Sequence, residues 1–127
     1  MSALTKKRPK FLDLSQIKLP LPGVVSILHR VSGAGLFLML PLILWLFASS
    51  LGSPASFIDF KEVVGNPAVK LFLLLLVAGY CYHFCAGIRF LLLDVHVGVD
   101  LPSARRSSGI VLVAAAVLTL IIGVKLW

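Results

Sequence analysis

The stretch VVSILHRVSGAGLFLMLPLILWLFASSL, residues 24–51, decides the fold class. It exceeds the about 20 residues that a helix, rising about 1.5 Å per residue, needs to cross about 30 Å of hydrocarbon, and its only charged residue is Arg30. Two further apolar runs follow, Pro67 to Leu93 and Ser107 to Trp127. Backbone polar groups in lipid are satisfied only within a helix or a closed barrel, and hydrophobicity that is continuous rather than alternating excludes the barrel. The chain is therefore expected to be an all-α integral membrane protein with three transmembrane helices, over residues 24–51, 67–93 and 107–127, forming one domain over residues 1–127.

Composition agrees. Of 127 residues, 59% are hydrophobic and only 13% charged, with a mean hydropathy of +1.03. That is too apolar for a domain whose whole surface faces water. The net charge of +7 sits on the flanks, so nucleic acid is not an expected partner and topology explains the basic residues better. Lys6, Lys7, Arg8, Lys10 and Lys18 face Asp13 alone before the first run, Arg105 and Arg106 stand before the third, and the first linker has Lys61 beside Asp59 and Glu62. The Lys/Arg bias of short loops predicts a cytoplasmic N-terminus and second linker and a periplasmic C-terminus, with Lys125 and Trp127 anchoring the far interface. No small-residue cleavage site follows the basic segment, and it lacks the long Arg- and Ser-rich character of a mitochondrial transit peptide. It is therefore read as mature sequence of a bacterial inner-membrane protein.

Gly52-Ser53-Pro54, Gly65-Asn66-Pro67 and Pro102-Ser103 mark short connections. Pro67 suits the first turn of the second helix, where its missing N–H is no loss, while Pro41 is expected to kink the first helix. Cys81 and Cys85, four apart in an apolar run, share a helix face and are read as packing residues, because the pair falls short of the cysteine set of an iron–sulfur or zinc site.

Ionisable residues inside a span are costly and mark functional sites. At about 100° per residue, Ser26, His29, Arg30 and Gly33 form one polar stripe; it either faces a polar ligand or lets His29 and Arg30 reach lipid phosphate. Gly33 is expected to leave room for a flat ligand, and Ser26 offers a hydroxyl. On the second helix Gly79, Tyr80, His83, Gly87, Phe90 and Asp94 share a side, so His83 lies between two glycines one turn away. That suits an axial haem ligand, or equally a histidine bonded to a neighbouring helix. Counted from Asp94, His83 lies eleven residues inside, roughly 16 Å by the helix rise, whereas His29 opens its helix near the surface. The two histidines are expected at different depths and not on one iron, which would place the second ligand on another chain. Arg89 points about 120° away from His83 and is expected to meet lipid headgroups or an adjacent cytoplasmic subunit. His96 reads as a solvated loop residue.

Ser26-Ile27-Leu28-His29-Arg30-Val31-Ser32-Gly33, together with Tyr82-His83-Phe84-Cys85-Ala86-Gly87-Ile88-Arg89 and Asp94, resembles the cytochrome b membrane-anchor subunit of succinate dehydrogenase, with its signatures S-I-x-H-R-x-[ST]-G and H-x-x-x-G-x-R-x-x-x-x-D. The likeness runs over the whole chain, Arg8-Pro9 included. It implies that Ser26 and Arg30 line a ubiquinone site, that His29 neighbours a haem propionate, and that His83 is the axial ligand of haem b; propionates pointing to the cytoplasm are expected to meet Arg30 as well as His29 as charge-assisted pairs. One departure is Phe90, where a second histidine often stands.

The resemblance also implies partners: a flavoprotein, an iron–sulfur protein and a second small hydrophobic anchor that supplies the other haem ligand. The chain has neither a nucleotide fingerprint nor the cysteines for a cluster, so it holds no succinate-oxidising site of its own. Alternatives are a fumarate reductase anchor, or a haem-free helical protein such as a transporter half or assembly factor whose polar stripes only pack helices.

Overall fold

The structure is a computed structural model and describes residues 16–127. Lys6, Lys7, Arg8, Lys10 and Asp13, on which part of the orientation argument rests, and Pro9, which with Arg8 carries part of the family likeness, lie outside the described residues. Four helices follow: α1 Leu21–Gly52, α2 Pro54–Gly65, α3 Pro67–Asp94 and α4 Leu101–Leu126. Among them α1, α3 and α4 are long and apolar enough to cross a membrane.

Each boundary has a local cause. Ser53 caps α2 reciprocally with Ser56: its side chain accepts from the Ser56 N–H at 3.1 Å, and the Ser56 hydroxyl accepts from the Ser53 N–H at 2.8 Å. Asn66 caps α3 by accepting from the Ala68 N–H at 2.9 Å, with Pro67 in the first turn. Asp100 caps α4 through the Ser103 N–H at 3.0 Å. The reversal between α3 and α4 uses left-handed backbone at His96, φ 63°, and Gly98, φ 74°, and His96 is exposed there.

Two readings of the sequence need adjustment. The first connection is a helix, α2, which the apolar scan passed over because it is short and carries Asp59, Lys61 and Glu62. The third helix starts at Leu101, before the apolar run, so Pro102, Ser103, Arg105 and Arg106 belong to its opening turns. α1 likewise begins at Leu21 and runs through Pro41 as one helix.

α3 is the central element, packed against both α1 and α4. Val25 of α1, Ala86 of α3 and Val111 of α4 meet in a buried cluster, with Tyr82, Cys85 and Phe90 against it. Small residues at the contact, Ala86 and the fully buried Ser108, bring the backbones close. Away from it the helices show lipid-like faces: Phe37, Leu71 and Leu75 are 73%, 70% and 68% exposed. Such surface is stable against hydrocarbon or another apolar subunit and not against water.

Candidate functional site

The three-helix cluster fixes α1 against α3 at the turn that carries the histidines. The Tyr82 hydroxyl donates to the Val25 carbonyl at 2.7 Å, tying the two helices one turn before His29. Beside that tie the His29 and His83 rings stack, centroids 4.2 Å apart and planes within 7°. The expected difference in depth is therefore wrong. α1 starts eight residues before His29, about 12 Å by the helix rise against about 16 Å for His83 below Asp94, which leaves less than one turn between them.

His83 is held through Nδ1, which lies 3.1 Å from the His29 carbonyl oxygen and 3.1 Å from Ser32 Oγ. A carbonyl oxygen only accepts, so Nδ1 carries a proton, and in the neutral imidazole Nε2 is then the nitrogen with the lone pair. The Cε1 edge of the ring lies close to Gly33: a Cβ there would stand 2.8 Å from His83 Cε1. The room expected beside Gly33 for a flat ligand is thus taken by the imidazole itself. Of the two glycines flanking His83, Gly79 has nothing within 4 Å of an added Cβ, whereas at Gly87 a Cβ would meet His29 Nε2 at 3.6 Å.

His29 lies between His83 and Phe90, whose ring centroid is 5.0 Å away. Its Nε2 is buried without a hydrogen-bond partner among the described residues, a costly state for a polar atom left unsatisfied. Ser26 and Arg30 stay outside the cluster. Ser26 is half-buried, Arg30 is exposed, and neither has a hydrogen-bond partner among the described residues. On α1 they stand four apart and project to one side.

Arg89 is the plainest correction. It is 5% exposed and faces neither headgroups nor open surface: Nε donates to Ser107 Oγ at 3.0 Å and an Nη donates to the Ala104 carbonyl at 3.4 Å. The turn of about 120° away from His83 points it at α4, whose early start at Leu101 supplies the acceptors. The guanidinium also sits over the Phe90 ring at 5.2 Å. Cys81 is buried and Cys85 half-buried, both as free thiols. Sequence reasoning missed Ser32 and the tie through Tyr82. Ser32 carried a signal: three residues after His29, a helical serine bonds back to that carbonyl.

Comparison with known proteins bears on what this cluster serves. Residues 5–122 match the family described as Succinate dehydrogenase/Fumarate reductase transmembrane subunit. The chain belongs to that family. It is 32% identical over 98% of its length to the succinate dehydrogenase cytochrome b556 subunit of Coxiella burnetii, covering 100% of that protein. Identity is 32% with the cytochrome b556 subunit of Paracoccus denitrificans, covering 91% of each chain. With that of Rickettsia prowazekii it is 28%, covering 93% of this chain and 92% of the relative. These relatives support a cytochrome b anchor subunit of succinate dehydrogenase and set aside a transporter half or assembly factor. In this family the stacked histidine pair is the feature to explain.

Proposed function

We propose that this chain binds haem b and ubiquinone and, as the membrane anchor of a succinate dehydrogenase, passes electrons from an iron–sulfur subunit to quinone. The observation that carries the reading is the state of His83. With Nδ1–H held by the His29 carbonyl, Nε2 presents a lone pair, the arrangement a ligating imidazole needs. The orphaned Nε2 of His29 also fits, because a propionate reaching this ring would give it the partner it lacks. Haem, when bound, supplies a one-electron store beside the quinone. The second axial ligand comes from a partner anchor. His29 cannot provide it in the observed arrangement, since imidazole lone pairs lie in the ring planes and two stacked rings do not aim them at each other across one iron.

Arg30 and Ser26 form the quinone end. Exposed and without a partner among the described residues, Arg30 places positive charge where a quinone under reduction gains negative charge, and Ser26 bonds a quinone oxygen. A flavoprotein and an iron–sulfur protein, docked on the cytoplasmic side with the N-terminus of this chain, oxidise succinate. The names of the relatives favour that direction over fumarate reduction. The C-terminus is periplasmic in a bacterial inner membrane.

Arg30→Ala in the assembled complex tests the site. Losing such a donor costs about 3 kcal/mol, roughly a hundredfold in rate. Succinate oxidation read with a soluble dye upstream of quinone should survive while quinone reduction falls by that factor. Unchanged quinone reduction would reduce Arg30 to an interfacial anchor.

A further inference from the structure

We infer that Ser32 is a positioning residue for His83, its hydroxyl bracing, together with the His29 carbonyl, the tautomer that leaves Nε2 free. The inference rests on reading His83 as the haem ligand and adds a residue to which no role has so far been given.

The assignment follows from counting protons. Ser32 Oγ donates its single proton to the His29 carbonyl at 2.9 Å. With the proton so placed, the hydroxyl offers His83 Nδ1, 3.1 Å away, a lone pair. The second neighbour of Nδ1, the His29 carbonyl oxygen at 3.1 Å, is an acceptor as well. The carbonyl cannot donate, so it selects Nδ1–H, and the Ser32 oxygen is a second acceptor for that proton; in the other tautomer the hydroxyl would have to leave the His29 carbonyl and turn to Nδ1, while the carbonyl oxygen faced the Nδ1 lone pair. The ring is confined by the stacked His29 ring at 4.2 Å on one face and, at its Cε1 edge, by the α1 backbone at Gly33, where a Cβ would come within 2.8 Å.

The local sequence accounts for all three groups. His29, Ser32 and Gly33 occupy one helical turn, so bonding back from residue 32 to the carbonyl of residue 29 places carbonyl and hydroxyl side by side, and the missing side chain at 33 admits the ring between them. A partner that accepts the second N–H of a ligating imidazole fixes its orientation and raises its basicity. A more basic ligand favours the oxidised iron, so Ser32 holds the midpoint potential of the haem down.

The test uses the purified complex with Ser32→Ala, Ser32→Thr and His83→Ala beside the unmodified protein. Two quantities are read: the haem midpoint potential and the rate at which haem passes to excess apomyoglobin. Ser32→Ala should raise the potential and speed transfer about tenfold, the lower end of what such partners are worth, and Ser32→Thr should restore both. Unchanged potential and transfer in Ser32→Ala, with an altered spectrum in His83→Ala, overturns the role of Ser32 and leaves the ligand assignment standing. Failure of Ser32→Thr to restore the potential also overturns it. An unaltered spectrum in His83→Ala removes the ligand assignment, and the role of Ser32 goes with it.

Discussion

Gly33→Ala sets two effects of opposite sign against each other. In a helix interior, alanine is favoured over glycine by about 1 kcal/mol, so backbone preference alone predicts a stabilised α1. The added Cβ would stand 2.8 Å from His83 Cε1 and 3.4 Å from Nδ1, well inside the about 3.5–4.0 Å at which carbon atoms attract. The ring has little room to retreat, because Nδ1 is bonded to the His29 carbonyl and to Ser32 while one face rests on His29. Forcing it aside costs about 1–3 kcal/mol of overpacking and about 1 kcal/mol for the hydrogen bond, so the net expectation is destabilisation by about 2 kcal/mol together with a perturbed imidazole. The assay is a thermal melt of the detergent-purified complex followed at the haem band, with Gly35→Ala as the control on the same helix, since a Cβ at Gly35 meets nothing within 4 Å. Gly33→Ala should melt lower with a changed band and Gly35→Ala should match or exceed the unmodified protein. Equal melts and equal spectra for the two would refute the packing of His83 on Gly33.

Arg89→Met keeps the volume and deletes the bonds to α4. Hydrogen bonds from a charged donor are worth about 1.5–3 kcal/mol, and Ser107 remains satisfied by the Ala104 carbonyl at 3.2 Å. The same melt should therefore fall by the equivalent of about 2 kcal/mol with the haem band in place, and loss of the band at unchanged stability would contradict a structural role. The Asp100 carboxyl is held below its ordinary value by the Ser103 N–H. A carboxylate with a depressed folded-state pKa stabilises fully above its unfolded value, and the benefit is lost as pH falls through the folded one. Asp100→Asn, which caps equally well uncharged, should leave stability near neutral pH unchanged and flatten its decline in acid. An acid decline identical in the two proteins would show that this cap is not titrating.

The spans were legible because hydrocarbon imposes a length and a composition, and the apolar runs from Val24, Pro67 and Ser107 meet both. Helix ends were less so. Pro102, Ser103, Arg105 and Arg106 are too polar for an apolar scan, yet Asp100 starts the helix before them through one side-chain bond, and α2 is announced only by a Ser-Pro step and its cap. Periodicity put His29 and Gly33 on one side of α1, and these two do meet His83, but the stripe it drew with them divides, since Ser26 and Arg30 stay outside the cluster. The pairing of α1 with α3 was not legible, because depth counted along one helix carries an error at each end and says nothing of how two helices are registered. That register is set by Tyr82 on Val25 and by the Val25, Ala86 and Val111 cluster, contacts between residues far apart in sequence. Arg89 was misplaced for the same reason: its direction from His83 was right, and what occupied that direction was unknown.

Whether His83 carries the haem is decided by the reduced-minus-oxidised visible spectrum of the purified complex with His83→Ala. Loss or displacement of the b-type bands, with the subunits still assembled and succinate oxidation by a dye intact, is the predicted result. A spectrum and haem content equal to those of the unmodified complex would contradict it.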